Sequence, residues 1–337
     1  MTTRTLGVPT RDHFGPLRAL FTFFTPALRG VLLVPHTSRR PEACEVDFLR
    51  PRNWQEALAI KSERPDAVPI AGGTDVMVEL NFGHRRPIAL LDLTAVGELA
   101  GWSEAEGRLR LGAGLTYHRL LTELGDRLPA LAMAARTVGS PQIRNRGTVG
   151  GNLGSASPAG DAHPPLLATG AEVEVASVRG TRTVPVAEFF TGVKRTVLAP
   201  DELIAAVHVS RATGPQQFSK VGTRNAMVIA VCAFSLALHP DRRGVGTGIG
   251  SAAPTPLRAV AAEEFLAGEL DGLWEAPRPL TDAVRARFGE LVAAAAAPID
   301  DVRGTADYRR HALSVIARRT LGWAWQEYRD GGSAACA

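Results

Sequence analysis

The chain has 337 residues, 45% of them hydrophobic and 34 of them glycine, and a formal charge of only +4. That length can bury a large core split into two or three subdomains, and the glycine content suits a globular α/β protein with many short turns. Basic residues fall in scattered pairs (Arg85-Arg86, Arg242-Arg243, Arg309-Arg310, Arg318-Arg319) rather than in a run interleaved with aromatics, which argues against a nucleic-acid surface. The cysteines Cys44, Cys232 and Cys336 form no C-x-x-C, so their spacing provides neither an iron–sulfur cluster nor a Cys-rich zinc site. Dispersed thiols fit a reducing, cytoplasmic compartment, and Cys232 within Ile229 to Phe234 reads as a small buried hydrophobe.

Residues 1–45 differ from the rest and are expected to be a disordered extension. Their apolar patch, Phe21 to Phe24, is too short to span a membrane, and Pro26 and Arg29 interrupt it, against a signal peptide. Helix is then expected from Trp54 to Ser62 with Asn53 as its cap, and strands at Val68–Ile70, Ile88–Leu93 and Leu109–Ala113. Helices follow from Thr116 and over Leu128–Thr137, with a further helical segment at Leu166–Thr169. Strands are expected at Glu172–Val175, Glu202–Val209, Gln217–Val221 and Val228–Leu238. Ala-rich helices are expected at Ala259–Leu266, Thr281–Ala296 and Tyr308–Trp325, with a disordered tail over 328–337.

Two glycine-rich stretches carry the most information: Ile70-Ala71-Gly72-Gly73-Thr74-Asp75 and Arg146-Gly147-Thr148-Val149-Gly150-Gly151-Asn152. Adjacent glycines let backbone N–H groups converge and let the main chain approach a phosphate closely. Neither stretch has P-loop or G-x-G-x-x-G spacing, and a single Gly-Gly pair is more often a tight turn. The histidines show no metal-ligand spacing, and His163, ahead of Pro164-Pro165, reads as a turn residue. No G-x-S-x-G elbow is present.

With its continuation through Leu153, Gly154 and Ser155 to Asp161, the second stretch resembles the second flavin loop of the FAD subunit of molybdenum hydroxylases, the group containing xanthine dehydrogenase and aerobic CO dehydrogenase. The first stretch, with Val76-Met77-Val78-Glu79-Leu80, is similar to that family's first loop. Leu90-Leu91-Asp92-Leu93, Leu111-Gly112-Ala113-Gly114, Ala253-Pro254-Thr255-Pro256-Leu257-Arg258-Ala259 and Asp307-Tyr308-Arg309-Arg310-His311 match in the expected order, so the resemblance spans Val46 to Gln326.

The resemblance implies an α/β plus α+β architecture. A two-part FAD-binding domain of PCMH type, like that of vanillyl-alcohol oxidase, covers 46–215 as two α/β subdomains with a boundary near 100. A C-terminal antiparallel sheet with helices covers 216–327. It also implies noncovalent FAD held by Ile70, Ala71, Gly72, Gly73, Thr74, Asp75, Val76 and Met77 from the first loop. The second loop adds Thr148, Val149, Gly150, Gly151 and Asn152, and Asp161, Ile204 and Lys220 complete the set. No residue is assigned to catalysis. Partners implied are a molybdenum-cofactor large subunit, a small subunit with 2Fe-2S clusters, and NAD or another acceptor; neither membrane nor nucleic acid is implied. Read from the residues themselves, Asp161 could instead cap the helix before Leu166, Thr74 and Asp75 suit helix capping, and Lys220 suits an exposed surface. Arg144 and Arg146 suit either phosphate or a nearby acid. The resemblance further implies an electron-transfer role in a complex whose substrate is expected to be xanthine, with CO or another aldehyde or aromatic compound the alternative and a stand-alone flavin oxidase a further one. Arg224-Asn225-Ala226-Met227 lacks the acidic residue that many relatives carry shortly afterwards, which loosens the expectation of xanthine.

Overall fold

The computed structural model describes residues 46–331. The expectations for residues 1–45, for Cys44 and Cys336, and for the tail beyond Gly331 lie outside the described residues.

The first sheet contains β1 (Asp47–Leu49), β2 (Val68–Ile70) and β3 (Ala89–Asp92) in the order β1-β3-β2, all parallel. Parallel neighbours need crossover connections, and α1 (Trp54–Glu63) and α2 (Val76–Asn81) supply them. Asn53 caps α1 as expected, its Oδ1 accepting the Glu56 N–H at 2.9 Å. Strand β3 is buried at all four positions, which is why three of them are apolar, and the fourth, Asp92, accepts from the Thr94 N–H and hydroxyl.

The second sheet begins with the hairpin β4 (Trp102–Ala105) and β5 (Arg108–Gly112). Five helices follow: α3 (Tyr117–Leu124), α4 (Pro129–Thr137), α5 (Pro141–Arg146), α6 (Val149–Ser155) and α7 (His163–Ala168). The chain then adds β6 (Glu172–Ser177), β7 (Gly180–Pro185), the single turn α8 (Val186–Phe189), a small hairpin of β8 (Phe190–Gly192) and β9 (Arg195–Thr196), and β10 (Leu203–Ser210). The five strands lie in the order β4-β5-β10-β6-β7 and are antiparallel throughout, so this portion is α+β rather than alternating α/β. Thr116, Ser140 and Thr148 cap α3, α5 and α6 with their hydroxyls.

The third sheet is antiparallel β11 (Gln216–Val221), β12 (Cys232–His239) and β13 (Gly244–Gly250), followed by α9 (Val260–Leu270), α10 (Asp282–Ala295) and α11 (Ala306–Arg329). Its central strand β12 is buried at every position. Phe234 meets Phe288 of α10 edge-on at 6.1 Å, and on the other face Ala233 and Phe218 pack with Ala130 and Ala134 of α4. Helix α11 continues to Arg329, into the segment expected to be a disordered tail. The strand expected from Val228 begins only at Cys232, because Met227 has a positive φ of 50° and Ile229 turns outward. Cys232 is fully buried, and desolvation pushes its thiol up to about 12.

Candidate functional site

The first glycine loop leaves β2 and enters α2; the second leaves α5 and enters α6. The two loops touch. A Cβ on Gly72 would lie 1.9 Å from the Arg146 carbonyl oxygen, and one on Gly150 would lie 2.5 Å from the Ala113 Cβ. Gly73 has a φ of +75°, the left-handed region that favours glycine. These glycines therefore serve the contact of loop with loop and loop with strand, besides any approach to a ligand.

The loops differ as hydrogen-bond donors. Among the described residues, the N–H groups of Gly72, Gly73, Thr74 and Asp75 have no partner within the chain. In the second loop the donors from Val149 to Asn152 are consumed within the protein. Val149 N–H donates to Leu115 O at 3.0 Å, Gly150 N–H to Ala113 O at 2.9 Å, Gly151 N–H to Thr148 Oγ1 at 3.0 Å and Asn152 N–H to Thr148 O at 3.0 Å. Free N–H donors from both loops were the sequence-based expectation; only the first loop offers a row of them.

Between the loops and β10 runs a cleft of about 900 Å³, near the upper end of the ~300–1,000 Å³ common for small-molecule sites. Its walls bring together Ala71, Gly72, Gly73, Thr74, Asp75 and Val76 from the first loop. Thr148, Gly150, Gly151 and Asn152 face them, with Asp161 and Ile204 nearby. Four expected residues do not line the cleft. Ile70 and Met77 pack against Gly73, Val149 is wholly buried in the core, and Lys220 reaches the site through Asp161.

Asp161 does not cap a helix, since the residue preceding α7 is Ala162 and makes no side-chain cap. Its Oδ2 accepts from Lys220 Nζ at 2.6 Å and from the Thr137 hydroxyl at 3.2 Å. Both members of the ion pair are over nine-tenths buried, so Lys220 is not an exposed surface lysine. Burial raises the Asp161 carboxyl above its ordinary value, and Lys220 opposes that rise. Asp75 precedes α2 without a side-chain cap; instead it accepts from the Ser155 hydroxyl at 2.9 Å and so ties the first loop to α6. Arg144 donates to the carbonyls of Arg136, Val138 and Gly139 rather than to an acid.

His163 is a correction. It opens α7 rather than a turn, is wholly buried beside the Phe190 ring at 4.5 Å, and burial pushes its imidazole down to about 4. Residues missed by sequence reading also border the cleft, among them Tyr117, Gly139, Ser157, Lys194 and Met227. Tyr117 follows the cap Thr116, and nothing in the local pattern sets it apart from an ordinary helical aromatic.

The polar atoms define what the cleft suits. Asn152 Oδ1, Asp161 Oδ1 and the Tyr117 hydroxyl are buried without a partner. A ligand carrying sugar hydroxyls and anionic oxygens would satisfy these acceptors, this phenol and the free N–H row together. FAD, with a ribityl chain and a diphosphate, fits that donor and acceptor set. Among the described residues no cluster of His, Cys, Asp and Glu could hold a metal ion, and no helix is long and apolar enough to cross a membrane.

The fold and cleft thus define a flavin-nucleotide-binding protein. Residues 44–211 match the family model of the FAD binding domain in molybdopterin dehydrogenase, and residues 218–324 match that of the CO dehydrogenase flavoprotein C-terminal domain. The chain is 34% identical over 237 residues to the nicotinate dehydrogenase FAD-subunit of Eubacterium barkeri, covering 66% of this chain and 80% of that protein. It is 30% identical to the xanthine dehydrogenase FAD-binding subunit of Escherichia coli, covering 81% of this chain and 94% of that one. The structure of carbon monoxide dehydrogenase from Hydrogenophaga pseudoflava superposes with a TM-score of 0.75 at 28% identity, covering 84% of this chain and 98% of that chain. The chain belongs to the FAD-binding medium subunits of the molybdenum hydroxylase family.

Proposed function

We propose that the chain is the electron-relay subunit of a cytoplasmic, xanthine dehydrogenase-like complex. FAD, when bound, supplies redox chemistry between the 2Fe-2S clusters of a small subunit and NAD or another acceptor. The chain itself binds and orients. The first loop offers its free N–H groups to the diphosphate, Asn152 and Asp161 offer acceptors to hydroxyls, and Lys220 holds Asp161 in place. Val149 and Gly150 keep the second loop seated on the segment that follows β5, Gly151 closes the turn onto Thr148, and Ile204 presents an apolar surface to the cleft. The observation that carries this reading is the coincidence of the free N–H row with unpartnered Asn152 Oδ1 and Asp161 Oδ1 around one cleft.

The substrate is oxidised on the large subunit in this scheme, so the medium subunit bears on it only through kinship. Xanthine is the first reading on the resemblance of the motifs to xanthine dehydrogenase, and the Escherichia coli relative, 30% identical over 81% of this chain, is compatible with it. A nicotinate-type complex is the second reading, on the 34% identity to the Eubacterium barkeri subunit; a CO- or aldehyde-type complex and a stand-alone oxidase come behind it. Co-expression with the cognate large and small subunits, followed by anaerobic addition of xanthine, nicotinate or CO, separates these readings. Bleaching of the flavin absorbance by xanthine is the expected result, and bleaching by nicotinate or CO alone would overturn the choice of xanthine.

A further inference from the structure

Tyr117 opens α3 directly after its cap Thr116, and its ring lies against the second loop: a Cβ on Gly147 would stand 3.4 Å from Tyr117 Cδ2. Its backbone N–H donates to the Gly147 carbonyl at 3.1 Å, and Thr116 bridges to Thr148, so the residue is fixed to that loop at both ends. The side chain is 2% exposed and borders the cleft, yet the hydroxyl has no hydrogen-bond partner. A buried hydroxyl left unpaired is costly, and in native proteins such groups are satisfied by water or by a ligand. On the side of the cleft formed by the second loop, the backbone donors of Val149 to Asn152 are already consumed inside the protein. Two donors on that side are left without a partner in the chain, the Thr148 N–H and the buried phenol.

We propose that Tyr117 is a cofactor-binding residue whose hydroxyl donates a hydrogen bond to the FAD diphosphate, opposite the free N–H groups of the first loop. The inference rests on the assignment of the cleft to FAD. A diphosphate lying between the loops needs donors on both flanks, and with the amides of Val149 to Asn152 turned inward Tyr117 adds a donor beside the Thr148 N–H. Desolvation, reinforced by Asp161 and Asp75, holds the phenol well above its ordinary 10.0, so it stays a protonated donor beside an anion.

The test uses the full-length chain stripped of flavin, with dissociation constants measured by fluorescence quenching and melting temperatures measured without ligand. Tyr117→Phe removes only the hydroxyl and is expected to weaken FAD binding roughly tenfold, while the flavin-free chain melts at the same temperature or higher. Riboflavin, which lacks the diphosphate, is expected to bind both proteins alike. An unchanged FAD constant for Tyr117→Phe would overturn the proposal, as would a lowered melting temperature of the flavin-free variant, because the hydroxyl would then serve the fold. An equal loss with riboflavin would overturn the diphosphate assignment. Asn152→Leu separates this failure from that of the site: if it weakens FAD binding and Tyr117→Phe does not, only the tyrosine proposal falls. If neither variant affects binding, the cleft assignment falls with it.

Discussion

A buried carboxylate persists when its charge is shared, and at Asp161 the ammonium of Lys220, 2.6 Å away, does the sharing. The pair spans the molecule, since Asp161 precedes α7 while Lys220 lies on β11 of the third sheet. One oxygen is thereby consumed and the other left for a hydroxyl. Two residues further on, His163 is buried as the neutral imidazole, with Nε2 at 3.2 Å from the Asn152 carbonyl oxygen. Its folded value of about 4 lies below the ordinary 6.5, so the unfolded chain binds the extra proton first as pH falls. The stability linked to this group is complete above pH 6.5 and is lost between 6.5 and 4, about 3 kcal/mol in all. Urea denaturation from pH 7.5 to 4 should show that loss in the wild type and a shallower slope in His163→Leu; equal slopes would exclude His163 as the cause.

At the scale of elements, glycine decides how closely the pieces approach. A Cβ at Gly72 would press into the Arg146 carbonyl and force the loops apart. Gly72→Ala is therefore expected to destabilise by about 1–3 kcal/mol and to reduce retained flavin. Gly268 is the control. It lies exposed within α9 with nothing within 4 Å of an added Cβ, and Gly268→Ala should stabilise by about 0.5–1 kcal/mol with flavin content unchanged. Thermal melts together with the flavin-to-protein absorbance ratio check both, and a Gly72→Ala protein as stable and as yellow as the wild type would contradict the packing account. Glycine also explains a missed strand. Gly244 to Gly250 places a glycine at every second position, which gives no apolar strand pattern, since glycine weakens strands. In the structure that glycine face admits the backbone of α7: Cβ atoms at Gly246 and Gly248 would lie 1.9 and 2.0 Å from the carbonyl oxygens of Ala168 and Pro164. Local sequence carries no sign of such a tertiary approach. Elements with strong caps, such as α1 with Asn53 and α10 with Thr281, were legible to within a residue or so.

For the whole molecule, the order of segments in the sequence was enough to place the family, and most of the residues expected at the site do line the cleft, because the two loops and Asp161 are short, contiguous motifs. What remained hidden depends on distant contacts. Lys220 looks like any strand lysine until β11 is set beside Asp161, and Tyr117 acquires its role only where α3 meets the second loop. The direction of the second loop's amides was misread for the same reason, since their acceptors, Ala113 and Leu115, belong to the segment after β5. The chain belongs to the FAD-binding medium subunits of the molybdenum hydroxylase family, and the proposed relay of electrons through FAD is the claim to test. The most direct test is to purify the full chain alone, load it with FAD, verify that it is free of metal, and assay it with NADH plus an artificial dye and separately with xanthine plus the same dye. Stoichiometric FAD, dye reduction by NADH and no reaction with xanthine are expected; turnover of xanthine or another organic substrate by the isolated chain would contradict the relay assignment.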